Sequence, residues 1–194
     1  MDAVRYWVTL FVLMSLPPAV LLWFLIHPFG HLWRRIPVWV SFGLLALVTA
    51  VMMVPVFLWR GPLLSVDFGT SYVTIFFAVV AWVLGSAIAL KRRKHLTTAI
   101  LSGLPQISAR RYPGTLLQEG IYGKVRHPRY IEVLLWTLGY ALFGNHLSLY
   151  IGFLLTIPGL LLIVEMEERE LRERFGEAWD DYVRRVPRFF PRRS

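Results

Sequence analysis

The chain has 194 residues and no cysteine. Cysteine supplies disulfides, thiolate metal ligands and the nucleophile of thiol enzymes, so all three kinds of site are excluded. Charged residues are also scarce, at 17%, whereas 56% of the residues are hydrophobic. This balance favours a chain that lies in a lipid bilayer rather than in water.

Four segments are long enough and uncharged enough to enter a bilayer, whose hydrocarbon core is crossed by about 20 helical residues. They are residues 6–27, 36–58, 70–90 and 133–164. The first has no small-residue cleavage motif and only Arg5 as a basic start, so we interpret it as a span and not as a cleaved signal. The sequence predicts an all-α, polytopic integral membrane protein.

The last apolar segment is too long to cross the membrane once. A straight helix of its 32 residues would measure about 48 Å, against a core of about 30 Å. Gly144, Asn145 and His146 supply a turn near its middle. We therefore predict a C-terminal helical hairpin with arms at 128–143 and 147–164, and five transmembrane helices in all. Short cytoplasmic helices follow, the last at 177–185.

The formal net charge of +9 comes from basic residues at the ends of the predicted spans. This distribution is typical of residues that set membrane topology and not of a surface that binds nucleic acid. Basic residues follow the first and third predicted spans and recur beyond residue 164. Cytoplasmic loops are enriched in Lys and Arg. We expect an outer N-terminus, a cytoplasmic C-terminus and active site, and no nucleic-acid partner. The predicted single domain, 1–194, has three spans in 1–90, a loop at 91–127, the hairpin at 128–164 and a tail at 165–194.

A dense polar cluster precedes the last apolar segment, at residues 120–130. Pro128 suits the first position of a helix, where its missing N–H would be unpaired anyway. Arg126 and His127 would then lie at a helix N-terminus, which favours a carboxylate or phosphate. Basic residues here could also be only a topology anchor. Tyr122 and Tyr130 complete the cluster.

A second polar cluster follows the same segment, at 165–171. Leu161, Val164, Glu168, Leu171 and Phe175 are spaced by three and four residues and so share one helical face. Glu168 is the single carboxylate of that face and requires a partner, such as the hydroxyls or ammonium of a ligand.

The neighbouring glutamates have a simpler interpretation. Glu165, Glu168 and Glu170 each lie four residues before an arginine, which for Glu168 is Arg172, as expected of a solvated ion-pair helix. We adopt this interpretation for Glu165, Glu167 and Glu170. Glu167 is rotated by about 100° from Glu168, so we expect it to make fewer buried contacts.

Together the motifs resemble the signature of the isoprenylcysteine carboxyl methyltransferase and phospholipid methyltransferase superfamily. The resemblance covers about 116–191, whereas the first three spans carry no distinctive motif. The matching segments are 117–122 (LQEGIY), 125–130 (VRHPRY), Glu167-Glu168, 175–177 (FGE), Tyr182, 186–188 (VPR) and Pro191.

The resemblance implies an integral membrane methyltransferase that uses S-adenosylmethionine, lacks a soluble Rossmann domain and needs no metal. It implies a cofactor pocket built from Tyr122, Arg126, His127, Pro128 and Tyr130, with Glu167 and Glu168 lining the reaction site and Arg188 closing over the cofactor. Glu168, His127 and Arg188 are the candidate catalytic residues. Glu168 and His127 are also candidates for taking a proton from an ammonium acceptor.

The methyl acceptor stays open among a prenylcysteine-like carboxylate, a phospholipid amine and a small thiol, all lipophilic. Glu132 is either a specificity residue or an interfacial carboxylate paired with Arg129. The C-terminal segment also resembles NADPH-dependent membrane sterol-type reductases, at Phe175-Gly176, Trp179, Tyr182 and 186–187. A third possibility is a non-enzymatic membrane accessory protein, which would bind no cofactor.

Overall fold

A computed structural model of the chain describes residues 1–26, 33, 35–94 and 115–191. Within these ranges the chain forms helices and no strand, which confirms the predicted all-α class. Most of the predicted loop 91–127, and Arg34, lie outside the described residues. The helices are α1 (Asp2–Ile26), α2 (Val38–Leu58), α3 (Arg60–Leu63), α4 (Tyr72–Arg93), α5 (Pro128–Gly144), α6 (Leu147–Phe175) and α7 (Glu177–Arg185), with a 3-10 turn at Gly120–Gly123 before α5.

In the part of the chain that the structure describes, four helices are long and apolar enough to cross a membrane: Asp2–Leu25, Val38–Leu58, Tyr72–Arg93 and Leu147–Phe175. Many of their large apolar side chains are exposed, among them Trp39 and Phe76. Such exposure is unfavourable in water and normal in lipid, so the chain is an integral membrane protein. α5 has 17 residues and is not among the four. The count of five spans therefore stays a prediction.

The break between α5 and α6 lies where the sequence places a turn. Asn145 has a left-handed backbone with φ 54°, and its N–H donates to the carbonyl of Ala141. Asparagine tolerates this conformation better than most residues, so it suits the end of a helix. α6 starts at Leu147, packs against α5, and continues as far as Phe175. Gly176, with φ 52°, separates it from α7, as predicted.

One end of the bundle is closed by polar contacts between distant segments. The N–H of Leu147 donates to Val66, and the N–H of Phe68 donates to Asn145. Arg5 of α1 is 1% exposed, donates to the carbonyl of Gly144 at 2.8 Å and pairs with Asp67. The start of α1, the segment before α4 and the α5–α6 junction therefore share this end.

α4 and α5 interlock through two glycine–tryptophan contacts. A Cβ atom at Gly139 would lie 2.4 Å from Trp82 Nε1, and one at Gly85 would lie 2.8 Å from Trp136 Cδ1. Each glycine thus receives an indole from the opposite helix. Close helix approach at small residues is the usual way that helices associate in a membrane.

We predict that Gly139→Ala destabilises the protein by about 1–3 kcal/mol, because the new methyl group would displace the indole of Trp82. Gly43 of α2 is the matched control, since a Cβ atom at that position would meet nothing within 4 Å. Gly43→Ala should leave stability unchanged or raise it, because alanine favours helix. Thermal unfolding in detergent measures both variants. Equal melting temperatures would contradict the interlocking contact.

Candidate functional site

The C-terminal tail lies against the segment that leads into α5. The N–H of Arg126 donates to Pro187 at 2.9 Å, and the N–H of His127 donates to Arg188 at 3.0 Å. These two bonds bring the first polar cluster beside the tail. α6 passes the same point and contributes Glu167 and Glu168. The two clusters that are separate in sequence therefore form one site.

Glu168 is the centre of a cationic cluster. Its Oε1 lies 2.9 Å from Arg126 Nη2 and 2.9 Å from His127 Nε2, and its Oε2 lies 2.6 Å from Arg188 Nη2. The side chain is only 12% exposed. The partner that a carboxylate on an apolar face requires is thus supplied by the protein itself, from the segment before α5 and from the tail. Arg172 pairs with Asp180 instead of with Glu168.

Glu167 is less buried than Glu168, with 27% of its side chain exposed against 12%, which agrees with its rotation on the helix. It still has partners in the site: the hydroxyl of Tyr130 donates to Glu167 Oε2 at 2.6 Å, and His127 Nδ1 lies 3.6 Å from the same oxygen. The imidazole of His127 therefore lies between the two carboxylates. Glu170 differs from expectation: it is 17% exposed beside Arg174 and is not on a solvated face.

The environment of His127 favours its protonated form. The imidazole is 4% exposed, and this burial opposes protonation. Its contacts with the carboxylates of Glu167 and Glu168 outweigh the burial and raise the pKa of His127 above its usual value. An imidazolium here donates to Glu168 and lies within ion-pair distance of Glu167.

The raised pKa predicts a pH dependence of stability. Below the unfolded pKa of about 6.5, His127 is protonated in both states and its ion contacts contribute fully. As the pH rises through the higher folded pKa, this contribution is lost. The melting temperature should therefore fall as the pH rises above about 6.5.

Two variants separate this effect from other titrations. His127→Gln should show a smaller fall in melting temperature over the same pH range, and Glu173→Gln, an exposed change on α6, should keep the wild-type profile. A His127→Gln profile identical to that of the wild type would contradict the assignment.

A cavity of about 140 Å³ lies between the 3-10 turn, the start of α5, α6 and α7. Its described lining combines charged groups with aromatic rings. Glu168 and Arg188 are not in that described lining and lie behind Glu167 and His127. The predicted site residues that line the cavity are Tyr122, Arg126, His127, Pro128, Tyr130 and Glu167.

α7 forms one wall of this cavity and is held by Arg126. The guanidinium donates from Nη1 to the carbonyls of Val186 at 2.6 Å and Val183 at 3.2 Å. It also lies 5.9 Å from the ring centroid of Trp179, which is 2% exposed. Tyr182 donates to the carbonyl of Tyr122 at 2.7 Å. α7 is therefore fixed to the segment before α5.

Sequence reasoning missed Arg92, which lines the cavity from α4. Its Nε lies 2.9 Å from Glu132 Oε2, and both side chains are largely buried. The interpretation that pairs Glu132 with Arg129 is wrong, since Arg129 lies over the ring of Trp23. The sequence did contain a pattern that indicates the burial of Arg92. It lies on the same helical face of α4 as the small residues Ala78, Ala81 and Gly85, and these four are the buried residues of that helix.

The described residues contain no group of three or more His, Asp or Glu side chains placed to hold a metal ion. The donors present are instead cations, phenols and paired carboxylates. This set suits an organic ligand that carries both signs of charge.

Comparisons with known proteins give one family match and relatives with several different names. The model of the phospholipid methyltransferase family matches residues 73–178. The Protein-S-isoprenylcysteine O-methyltransferase of Schizosaccharomyces pombe is 34% identical over 77 residues, 39% of this chain and 33% of that protein. The Delta(14)-sterol reductase TM7SF2 of Mus musculus is 38% identical over 77 residues, 37% of this chain and 18% of that protein.

A further relative is named for metal resistance and not for an enzymatic activity. The Cobalt-zinc-cadmium resistance protein CzcN of Cupriavidus metallidurans is 37% identical over 84 residues, 41% of this chain and 37% of that protein. The matched part thus spans about a third or less of two of these relatives and slightly more of the third. The family model, in contrast, covers more than half of the chain and reaches from α4 to the start of α7. The chain belongs to the phospholipid methyltransferase family.

Proposed function

We propose that the chain is an integral membrane methyltransferase that transfers a methyl group from S-adenosylmethionine to a lipophilic acceptor. One observation carries the proposal. Within the segment that the family model matches, the two polar clusters at either end of α5 and α6 meet around a single cavity. The cavity is lined by the start of α5 and by the part of α6 that follows its apolar residues, so the site would lie near the membrane surface, within reach of a lipid.

The residues around the cavity fit S-adenosylmethionine. Trp179, Phe175 and Leu116 offer apolar and aromatic surface for an adenine ring. Arg92 and Arg129 offer positive charge for a carboxylate, and Glu167 offers a carboxylate for an ammonium or ribose hydroxyls. When bound, this cofactor supplies a methyl group on a sulfonium centre, which needs no metal for its transfer.

Glu167 and Glu168 would have different roles. Glu167 lines the cavity, so we assign it to contact the cofactor and to accept a proton when the acceptor is an ammonium. The oxygens of Glu168 are already bonded by Arg126, His127 and Arg188. We assign these four side chains to hold α7 and the tail in place. Their effect on catalysis is then through alignment and exclusion of water.

Methyl transfer to a lipophilic acceptor can be tested in membranes that contain the chain. With S-adenosylmethionine labelled in its methyl group, we expect label in the organic extract, and much less from Glu167→Gln. Candidate acceptors with a prenylcysteine carboxylate, a phospholipid amine and a thiol are added in turn. Label confined to the aqueous phase in every arm would contradict a lipophilic acceptor.

We also propose that the site faces the cytoplasm and that the N-terminus lies outside. Basic residues at the end of α4 and in the tail support this orientation. Asn145 and His146 are buried, so exposed Ser65 is the better probe of the opposite end. In this cysteine-free chain, a membrane-impermeant maleimide on intact cells should label Ser65→Cys and not Glu173→Cys. The reverse result would invert the topology.

A second candidate function rests on the similarity to the Delta(14)-sterol reductase. Compared with the Protein-S-isoprenylcysteine O-methyltransferase, this reductase is more similar in sequence over a slightly smaller share of the chain. It predicts a site for NADPH in place of S-adenosylmethionine. Binding measurements with both cofactors distinguish the two functions.

A further inference from the structure

A second, larger cavity lies beside the candidate methyl-donor site. Its volume is about 500 Å³, and its walls come from the end of α4, the 3-10 turn, the start of α5 and the tail. The two cavities share Pro128, but Arg126 and His127 line the first whereas Val125 lines the second. The short segment before α5 therefore separates them. Signature residues form part of the second cavity's wall, but its three lysines lie outside the signature and the proposed methyl transfer uses only the first cavity.

Three lysines converge on this cavity from two parts of the chain. Lys91 and Lys94 are spaced by three residues at the end of α4, and Lys124 follows the 3-10 turn. All three are exposed, and the lining that the structure describes includes no Asp or Glu. Three cations around one cavity repel one another, so an anion between them would relieve an unfavourable arrangement.

The rest of the described lining carries no charge, and part of its apolar surface lies further into the bundle than the lysines at the end of α4. Ile88 precedes Lys91 by three residues on α4, about 4.5 Å further into the bundle. Ile131 lies the same distance into α5 from Pro128, and Phe189 of the tail completes this side. The cavity is therefore basic at its outer rim and apolar toward the bilayer. A membrane lipid is arranged in the same way, with a polar headgroup at the surface and an apolar acyl chain toward the bilayer.

We propose that this cavity binds a membrane lipid with an anionic phosphate headgroup. The phosphate lies among Lys91, Lys94 and Lys124, and the upper part of an acyl chain lies along Ile88, Ile131 and Phe189. Basic clusters at the cytoplasmic end of a transmembrane helix bind anionic lipids for this electrostatic reason. The proposal does not depend on the methyltransferase function, because it concerns a different cavity.

The test measures binding of short-chain phosphatidylglycerol to the purified protein in neutral detergent. We expect each of Lys91→Gln, Lys94→Gln and Lys124→Gln to weaken binding about fivefold, the effect of one cation on an anionic lipid. The triple variant should weaken it by about 100-fold. Arg93→Gln removes one exposed charge from the same turn of α4, outside the described lining, and should change binding less than twofold.

Two further ligands identify what is bound. Short-chain phosphatidylcholine, which has no net charge, should bind at least tenfold more weakly than phosphatidylglycerol. Inorganic phosphate should not compete at concentrations where the lipid saturates, because it has no chain for the apolar side. Equal effects of Lys124→Gln and Arg93→Gln, equal binding of the two lipids, or competition by inorganic phosphate would each overturn the proposal. Melting temperatures of the variants without lipid should equal that of the wild type.

Discussion

Replacement of Glu168 by glutamine should lower stability by about 3 kcal/mol, an effect expected when a largely buried charge partner is removed. Glu168 is bonded by Arg126, His127 and Arg188, so the change removes a carboxylate that three cations share. His127 keeps Glu167 and Arg188 keeps Glu165 as a neighbouring carboxylate. For a chain of this length, the melting temperature should fall by about 6–12 °C. Affinity for S-adenosylhomocysteine should fall about 10- to 150-fold, because the same residues hold α7 against the cavity.

Glu173→Gln is the control for this prediction, since Glu173 is exposed on the same helix. It should stay within about 0.5 kcal/mol of the wild type. Glu170 is less suitable, because it is 17% exposed and lies 3.6 Å from Arg174. Small and equal effects of Glu168→Gln and Glu173→Gln would show that the cationic cluster does not hold the site together.

Replacement of Glu167 by glutamine should separate ligand binding from stability. The amide oxygen of glutamine still accepts the hydrogen bond from Tyr130, so only the ion contact with His127 is lost and the melting temperature should fall clearly less than in Glu168→Gln. The negative charge toward the cavity is lost. A charge-assisted hydrogen bond contributes about 1.5–3 kcal/mol, so affinity for S-adenosylhomocysteine should fall about 10- to 150-fold.

Titration calorimetry on folded protein measures the affinity of Glu167→Gln, with Glu173→Gln again as the control. Unchanged affinity would remove Glu167 from the ligand site. A large fall in melting temperature would instead assign it to the same structural cluster as Glu168. The two glutamates therefore have distinguishable effects: the change at Glu168 lowers both stability and affinity strongly, whereas the change at Glu167 lowers mainly affinity.

Features that depend on neighbouring residues are predictable from the sequence. Pro128 begins α5, Asn145 and His146 interrupt the last apolar segment, and Gly176 separates α6 from α7. Each is a local effect of backbone chemistry on a helix end. The meeting of the two polar clusters follows from the predicted hairpin and from the family resemblance. The roles of their residues, in ligand contact or in support of the site, are proposals.

Partners across long sequence separations are not predictable in the same way. The sequence favours Arg129, three residues away, as the partner of Glu132, but the partner in the fold is Arg92 on α4. The rotation of Glu167 from Glu168 is correct as helix geometry, yet His127 contacts both carboxylates. Helical periodicity gives the direction of a side chain on its own helix and contains no information about the chain packed against it.

Cofactor binding by the purified, detergent-solubilised protein tests the central claim most directly, because it requires no knowledge of the acceptor. Titration with S-adenosylhomocysteine should give saturable binding and, at 100 times its Kd, stabilise the fold by about 2.7 kcal/mol. NADPH should give neither heat nor stabilisation. Saturable binding of NADPH without binding of S-adenosylhomocysteine would contradict the methyltransferase function and support a reductase.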